Sequence, residues 1–151
     1  MSLSTGSGPR LFYVAEPPPQ YLARPPVVVD CSALVGILFE EPWQAQASGK
    51  IRGRTLNAPF LLEIEFTSVA VKKHKQGYGA LVDNALARFK ALNVTLHRIE
   101  LAQVLALALQ YKLSAYDASY LWLAAELKAP LATFDEKLAE AAQIHLSGLP
   151  Y

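Results

Sequence analysis

Four acidic residues, Asp30, Glu65, Asp117 and Asp135, stand where a fold could use them for chemistry. Asp30 closes the β-branched run Val27-Val28-Val29, and Asp135 follows Leu131-Ala132-Thr133-Phe134. Asp117 opens the helical stretch after Leu113-Ser114-Ala115-Tyr116. Taken singly, each Asp has a plain role at a helix start. Asp30 can accept the unpaired N–H groups of the next helix. Ser114 with Asp117 and Thr133 with Glu136 have capping-box spacing, and Asp135 favours the positive end of a helix. Glu65 fits that role less well, because Leu62, Ile64 and Phe66 around it are apolar and a half-buried Glu needs a partner. Several carboxylates meeting at one sheet edge repel and raise each other's pKa. A divalent cation removes that conflict. An all-oxygen ligand set without Cys or His clusters suits Mg²⁺ or Mn²⁺. Such ions activate a water and steady a phosphodiester during in-line displacement.

The elements around these acids alternate. Val27–Asp30 is a continuous apolar run that suits a strand buried on both faces. A helix over Ser32–Leu38 follows, ending near Glu41-Pro42, then a second over Trp43–Ile51 and a short strand at Thr55–Ala58. Helices are expected over Phe60–Gln76, stopped by Gly77, and over Tyr78–Leu92, before a strand at Asn93–His97. Two more helices, Glu100–Tyr111 and Tyr116–Lys128, precede a strand at Pro130–Phe134, a helix over Asp135–Ala142 and a last short strand at Ile144–Leu146. This order predicts an α/β fold, a three-layer α/β/α sandwich around a mostly parallel sheet. Such sheets place their site outside the strand carboxyl ends, where Asp30 and Asp135 fall. Residues 1–26 carry Pro17-Pro18-Pro19 and Pro25-Pro26 and read as an extended tail, in which Leu11–Val14 could pack as a short strand. Residues 27–151 form the expected domain.

The bulk numbers narrow the function classes. At 151 residues, 52% hydrophobic and 18% charged, the chain can bury a core and is not a disordered segment. A net charge of +1 gives no global attraction for nucleic acid, so any such binding is local or works through metal ions. The single cysteine, Cys31, excludes a disulfide within the chain, fits a cytoplasmic location and reads as a buried hydrophobe. No membrane span and no signal-peptide layout are expected. Lys72-Lys73-His74-Lys75 reads as a solvated helix end, or with Arg52 and Arg54 as a phosphate patch. His74, His97 and His145 lack metal-ligand spacing. Tyr116, Tyr120 and Trp122 are expected mostly in the core, with Tyr116 a candidate for a site entrance.

Four segments resemble the motifs of the PIN-domain family, in family order. These are Val28-Val29-Asp30-Cys31-Ser32-Ala33-Leu34, the stretch from Ala58-Pro59 to Glu65, Leu113–Leu121 around Asp117, and Leu131-Ala132-Thr133-Phe134-Asp135-Glu136-Lys137-Leu138. The third resembles VapC-type toxins most closely. The resemblance implies a PIN-like fold and a metal site formed by Asp30, Glu65, Asp117 and Asp135, supported by Ser32 and Thr133. It implies Mg²⁺- or Mn²⁺-dependent RNA cleavage leaving a 3′-hydroxyl, a protein antitoxin and a homodimer. Two features depart from the pattern. Ser68 stands where the family often has Asn, and Glu63 competes with Glu65. Helix geometry turns residues two apart by about 200°, so only one of the two glutamates can face the site; the spacing from Pro59 favours Glu65.

Other readings remain open. An RNA-processing nuclease without an antitoxin would share the same residues. A metal-free binding module would use the acids only as caps. A phosphorylated receiver needs an acidic pair after the first strand, and a haloacid-dehalogenase-like phosphatase needs a second Asp two residues after the first. Cys31 and Ser32 occupy those places and argue against both. An antitoxin would be expected to put an Arg or Lys near Asp30 and Asp117 and to dock apolar anchors around Leu34, Leu38 and Trp43.

Overall fold

The computed structural model describes residues 8–17, 24–39 and 44–150. The expected helix end at Glu41-Pro42 and the start at Trp43 lie outside these residues. In chain order the elements are β1 (Tyr13–Ala15), β2 (Pro26–Val29), α1 (Cys31–Leu38), α2 (Gln44–Ile51), β3 (Thr55–Pro59) and α3 (Leu61–Lys75). They continue as α4 (Gly79–Ala91), β4 (Thr95–His97), α5 (Leu101–Tyr111), α6 (Ala115–Leu127), β5 (Leu131–Thr133) and α7 (Glu136–Ser147). Gly77, at φ 95°, occupies the left-handed region that breaks α3 from α4 at low cost.

The strands form one sheet in the order β1-β5-β2-β3-β4. The pairs β5–β2, β2–β3 and β3–β4 are parallel, and β1 pairs antiparallel with β5 at the edge. Val27, Val28 and Val29 are all buried, as a strand covered on both faces requires. Helices α1, α3 and α4 pack on one another, and so do α5, α6 and α7; α1 reaches β5 from one group, α6 and α7 from the other. This is a three-layer α/β/α arrangement around a mostly parallel sheet. After β2 the chain builds outward through β3 and β4, and β5 then returns to the opposite side of β2. The strand order therefore reverses between β2 and β5, and the crevice at such a point lies beyond their carboxyl ends. Asp30 and Phe134-Asp135 leave the two strands there.

Three expectations change. Ile144–His145–Leu146 is not a strand, because α7 runs on to Ser147. Leu138, Ala139, Ala141, Ala142 and Leu146 are its buried residues, at helical spacing, whereas Ile144 is 67% exposed. Leu34 and Leu38 do not line an open groove: they are 0% and 1% exposed, and all of α1 is buried. Trp43, the third expected anchor, lies outside the described residues. The segment 1–26 supplies β1 to the sheet, shifted towards the end of the Leu11–Val14 run, and Phe12 is buried against the core.

Because Leu34 is core, Leu34→Ala should cost about 2–5 kcal/mol through lost contacts and a residual cavity. For a chain of this size that is roughly a 5–15 °C drop in Tm. A change below about 2 °C in a thermal scan would mean that α1 is not packed as described.

Candidate active site

Asp30 lies just past β2, in register with Thr133 at the end of β5, since Val28 pairs with Leu131 and Val29 with Ala132. Its backbone N–H donates to Ala132 O at 3.3 Å. The residue is only 4% exposed. Asp30 Oδ1 accepts from Ser32 Oγ at 2.7 Å and from Ala33 N at 3.0 Å, so it caps α1 as its place in the sequence suggests. Oδ2 accepts from Thr133 Oγ1. Both hydroxyls also act as acceptors. Ser32 Oγ accepts from Phe134 N at 3.0 Å, and Thr133 Oγ1 accepts from Asp135 N at 2.9 Å. The two side chains thus tie the β5–α7 turn to Asp30. That turn is held by satisfied N–H groups, which a buried backbone demands.

Glu65 approaches from the first turns of α3. Its Oε1 accepts from Tyr120 Oη at 2.7 Å, a bond that links α3 to α6. Its Oε2 is buried and has no hydrogen-bond partner. Glu63 is exposed, so the two glutamates face different surroundings. Asp117 stands in the first turn of α6, where Ser114 Oγ caps its backbone N–H at 3.1 Å. Asp135 caps α7, accepting from Leu138 N at 2.9 Å; the expected capping role of Thr133 towards Glu136 passes to Asp135.

The four acids are electrically linked. Burial, the largest cause, lifts the Asp30 carboxyl to about 6, and Asp117 adds to the rise against the hydrogen bonds from Thr133, Ser32 and Ala33. Burial lifts Glu65 to about 7, with further repulsion from Asp30 and Asp117 and an opposing bond from Tyr120. Asp117 is raised by burial and then by Asp135. Burial and the neighbouring Glu65 raise the Tyr120 hydroxyl, which keeps it a proton donor. Even so, no group of three or more His, Cys, Asp or Glu side chains among the described residues closes on one point as a metal cage. The donor chemistry nevertheless fits a hard divalent cation. Mg²⁺ is typically held by one or two carboxylates with water completing the shell, and the orphaned Glu65 Oε2 is an oxygen in need of a positive partner.

The other singled-out residues have their own surroundings. Lys73 Nζ sits 5.0 Å from the Phe39 ring centroid. Lys72 is seven residues beyond Glu65 on α3, about 10 Å further along the helix. Arg54 Nη2 is 3.9 Å from Glu16 Oε1. Tyr111 Oη and His145 Nδ1 are 2.9 Å apart, and His97 Nε2 and Asn57 Oδ1 are 2.8 Å apart. Cys31 is buried, and burial pushes its thiol up, away from reactivity. Tyr116 is exposed, and Trp122 donates to Gln103 Oε1 at 2.7 Å. Sequence alone places Tyr120 in the core and gives it no partner at the site. Its position three residues after Asp117, on the same helix face, is the signal that could have found it.

Residues 27–144 match the PIN domain family, and the chain belongs to it. It is 29% identical over 121 residues to Ribonuclease VapC3 of Pyrobaculum aerophilum, covering 76% of this chain and 92% of that protein. Its fold matches the crystal structure of PAE2754 from Pyrobaculum aerophilum with a TM-score of 0.61 at 22% identity, over 83% of this chain and 93% of the other.

The raised carboxyls make stability depend on pH. An acid whose folded pKa exceeds its unfolded value binds more protons when folded, so stability is lost as pH rises through the folded pKa. With Asp30 at about 6 and Glu65 at about 7, against ordinary values near 4, the metal-free protein should lose several degrees of Tm between about pH 4 and pH 7. Asp30→Asn should flatten that slope. Thermal scans in EDTA across this range check it; an equal slope in the variant would show that Asp30 does not carry the effect.

Proposed function

We propose that this protein is a divalent-metal-dependent endoribonuclease, acting as the toxin of a toxin–antitoxin pair. The observation that carries the reading is a buried Asp30 clamped by two hydroxyls beside Glu65, one of whose oxygens is buried without a partner. Membership of the PIN domain family and a relative named Ribonuclease VapC3 support the substrate class. The reading carries an RNA substrate, an antitoxin and a homodimer as partners.

Asp30 and Glu65, with Asp117 and Asp135 beside them, would hold Mg²⁺ or Mn²⁺. When bound, such an ion supplies a water of lowered pKa and neutralises charge on the phosphodiester. The chain's own residues do the positioning. Ser32 and Thr133 fix both oxygens of Asp30, which leaves the carboxylate no rotational freedom. Tyr120 holds Glu65 Oε1 and leaves Oε2 open. Without the ion, burial and the neighbouring carboxylates hold the Glu65 carboxyl up at about 7, and a cation at Oε2 would favour its deprotonated form. Depth below the surface limits solvent around both groups and strengthens their electrostatic effect.

Asp30→Asn should leave the fold intact and reduce cleavage of single-stranded RNA in Mn²⁺ by at least about a hundredfold. Thr133→Val should lose roughly ten- to hundredfold by freeing Asp30 Oδ2. Gel assays with and without EDTA, together with circular dichroism, make the check. Native-rate cleavage by Asp30→Asn would remove the mechanism.

A further inference from the structure

Residues 8–15 precede the PIN match, which begins at residue 27, and the proposed reaction gives them no role. Their placement does. Strand β1 runs antiparallel to β5 with Tyr13 opposite Thr133. Residues 10–12 therefore extend past the carboxyl end of β5, on the same edge of the sheet as the acids. Phe12 packs on Phe134 with ring centroids 4.7 Å apart. The Arg10 guanidinium carbon lies 5.7 Å from the Phe134 ring centroid. Arg10 is thereby held on one wall of an open cleft of about 510 Å³, lined also by Phe134, Asp135, Glu136, Lys137 and Glu140. The cleft adjoins the carboxylates: Asp135 lines it and repels Asp117, and Lys137 acts on Asp117 in the opposite sense.

The charges of the lining select the occupant. Arg10 and Lys137 share one cleft with Asp135, Glu136 and Glu140. A phosphate would meet a lining with more acids than bases. A simple cation would meet two competing cations. A neutral, planar group with donors and acceptors on its edge satisfies both signs. Glu136 and Glu140 are one helical turn apart and share a face of α7. Among the nucleobases, guanine offers O6 and N7 to the planar fork of an Arg. On its other edge it offers N1–H and N2–H₂ together to a carboxylate, which accepts two parallel bonds.

We propose that this cleft is a base-reading subsite for guanine beside the cleaved phosphodiester. Arg10 contacts O6 and N7, and the Glu136–Glu140 face accepts from N1–H and N2–H₂. The subsite names the substrate preference of the ribonuclease reading above and rests on it. The N-terminal segment thus contributes specificity to a domain whose acids all lie further along the chain.

The test measures binding rather than cleavage. Four fluorescein-labelled pentaribonucleotides that differ only in the central base, G, A, C or U, are titrated with the full chain in EDTA and followed by anisotropy. The central-G oligonucleotide should bind at least about fivefold tighter than the others, the lower end of one bidentate base contact. Arg10→Ala, Arg10→Lys and, separately, Glu136→Gln with Glu140→Gln should each bring the four within about twofold, with affinity for the other three little changed. Lys fails because it lacks the planar fork. Equal binding of all four bases by the native chain overturns the proposal. So does a guanine preference that survives in Arg10→Ala, or a uniform loss for every base, which would mark Arg10 as a tether for β1. Absence of any RNA binding in EDTA overturns the subsite and leaves the ribonuclease reading, which works through the ion, to the cleavage assay in Mn²⁺. Guanine-selective binding without cleavage in Mn²⁺ supports the subsite and removes the ribonuclease reading alone.

Discussion

The burial of one carboxylate, Asp30, at the reversal of strand order governs the arrangement of this molecule. Leaving a charge out of water is costly unless it is paired or hydrogen-bonded. Here the compensation comes from Ser32, Ala33 and Thr133, and through the two hydroxyls from the N–H groups of Phe134 and Asp135. These bonds join the end of β2, the start of α1 and the β5–α7 turn into one unit. They do not cancel the charge problem, because Asp30 still titrates near 6 and Glu65 near 7. The fold therefore holds acids where burial disfavours their anions, and the proposed cation would relieve this.

That constraint explains why residues from distant parts of the sequence depend on each other. Glu65 is on α3 and Tyr120 on α6, in the two helical layers, and their bond spans the carboxyl edge of the sheet. Asp117, near Tyr120, is raised by burial and by Asp135 at the head of α7. Changes at any of these positions alter the charge balance at the others. The N-terminal strand reaches the same edge because it pairs antiparallel with β5, which brings Phe12 and Arg10 onto Phe134.

Much of this is legible from residue types. The run Val27-Val28-Val29 announces a strand covered on both faces, and helix–strand alternation announces the parallel sheet that places Asp30 and Asp135 at one edge. The spacing from Pro59 points to Glu65 over Glu63, and the structure leaves Glu63 in solvent. Other features are hidden because they depend on tertiary pairing. Ile144-His145-Leu146 is β-like in composition, yet the buried Leu138, Ala142 and Leu146 stripe carries the helix through it. The spacing of Leu34 and Leu38 does not say whether their face meets solvent or the core. Tyr120 as the partner of Glu65, 55 residues away, and Arg10 over Phe134 need the fold itself to be seen.

The claim that these crowded acids are organised for a cation is tested most directly by calorimetric titration with Mn²⁺ at about pH 6.5 in buffers of different ionisation enthalpy. Metal ligands must be deprotonated, so binding releases the protons that Asp30 and Glu65 retain. With carboxyls near 6 and 7, the release should be about one proton per ion at about pH 6.5 and fall towards zero at about pH 8.5. It should also shrink in Glu65→Gln. Absence of Mn²⁺ binding, or binding heats that do not depend on the buffer at the lower pH, would contradict the account.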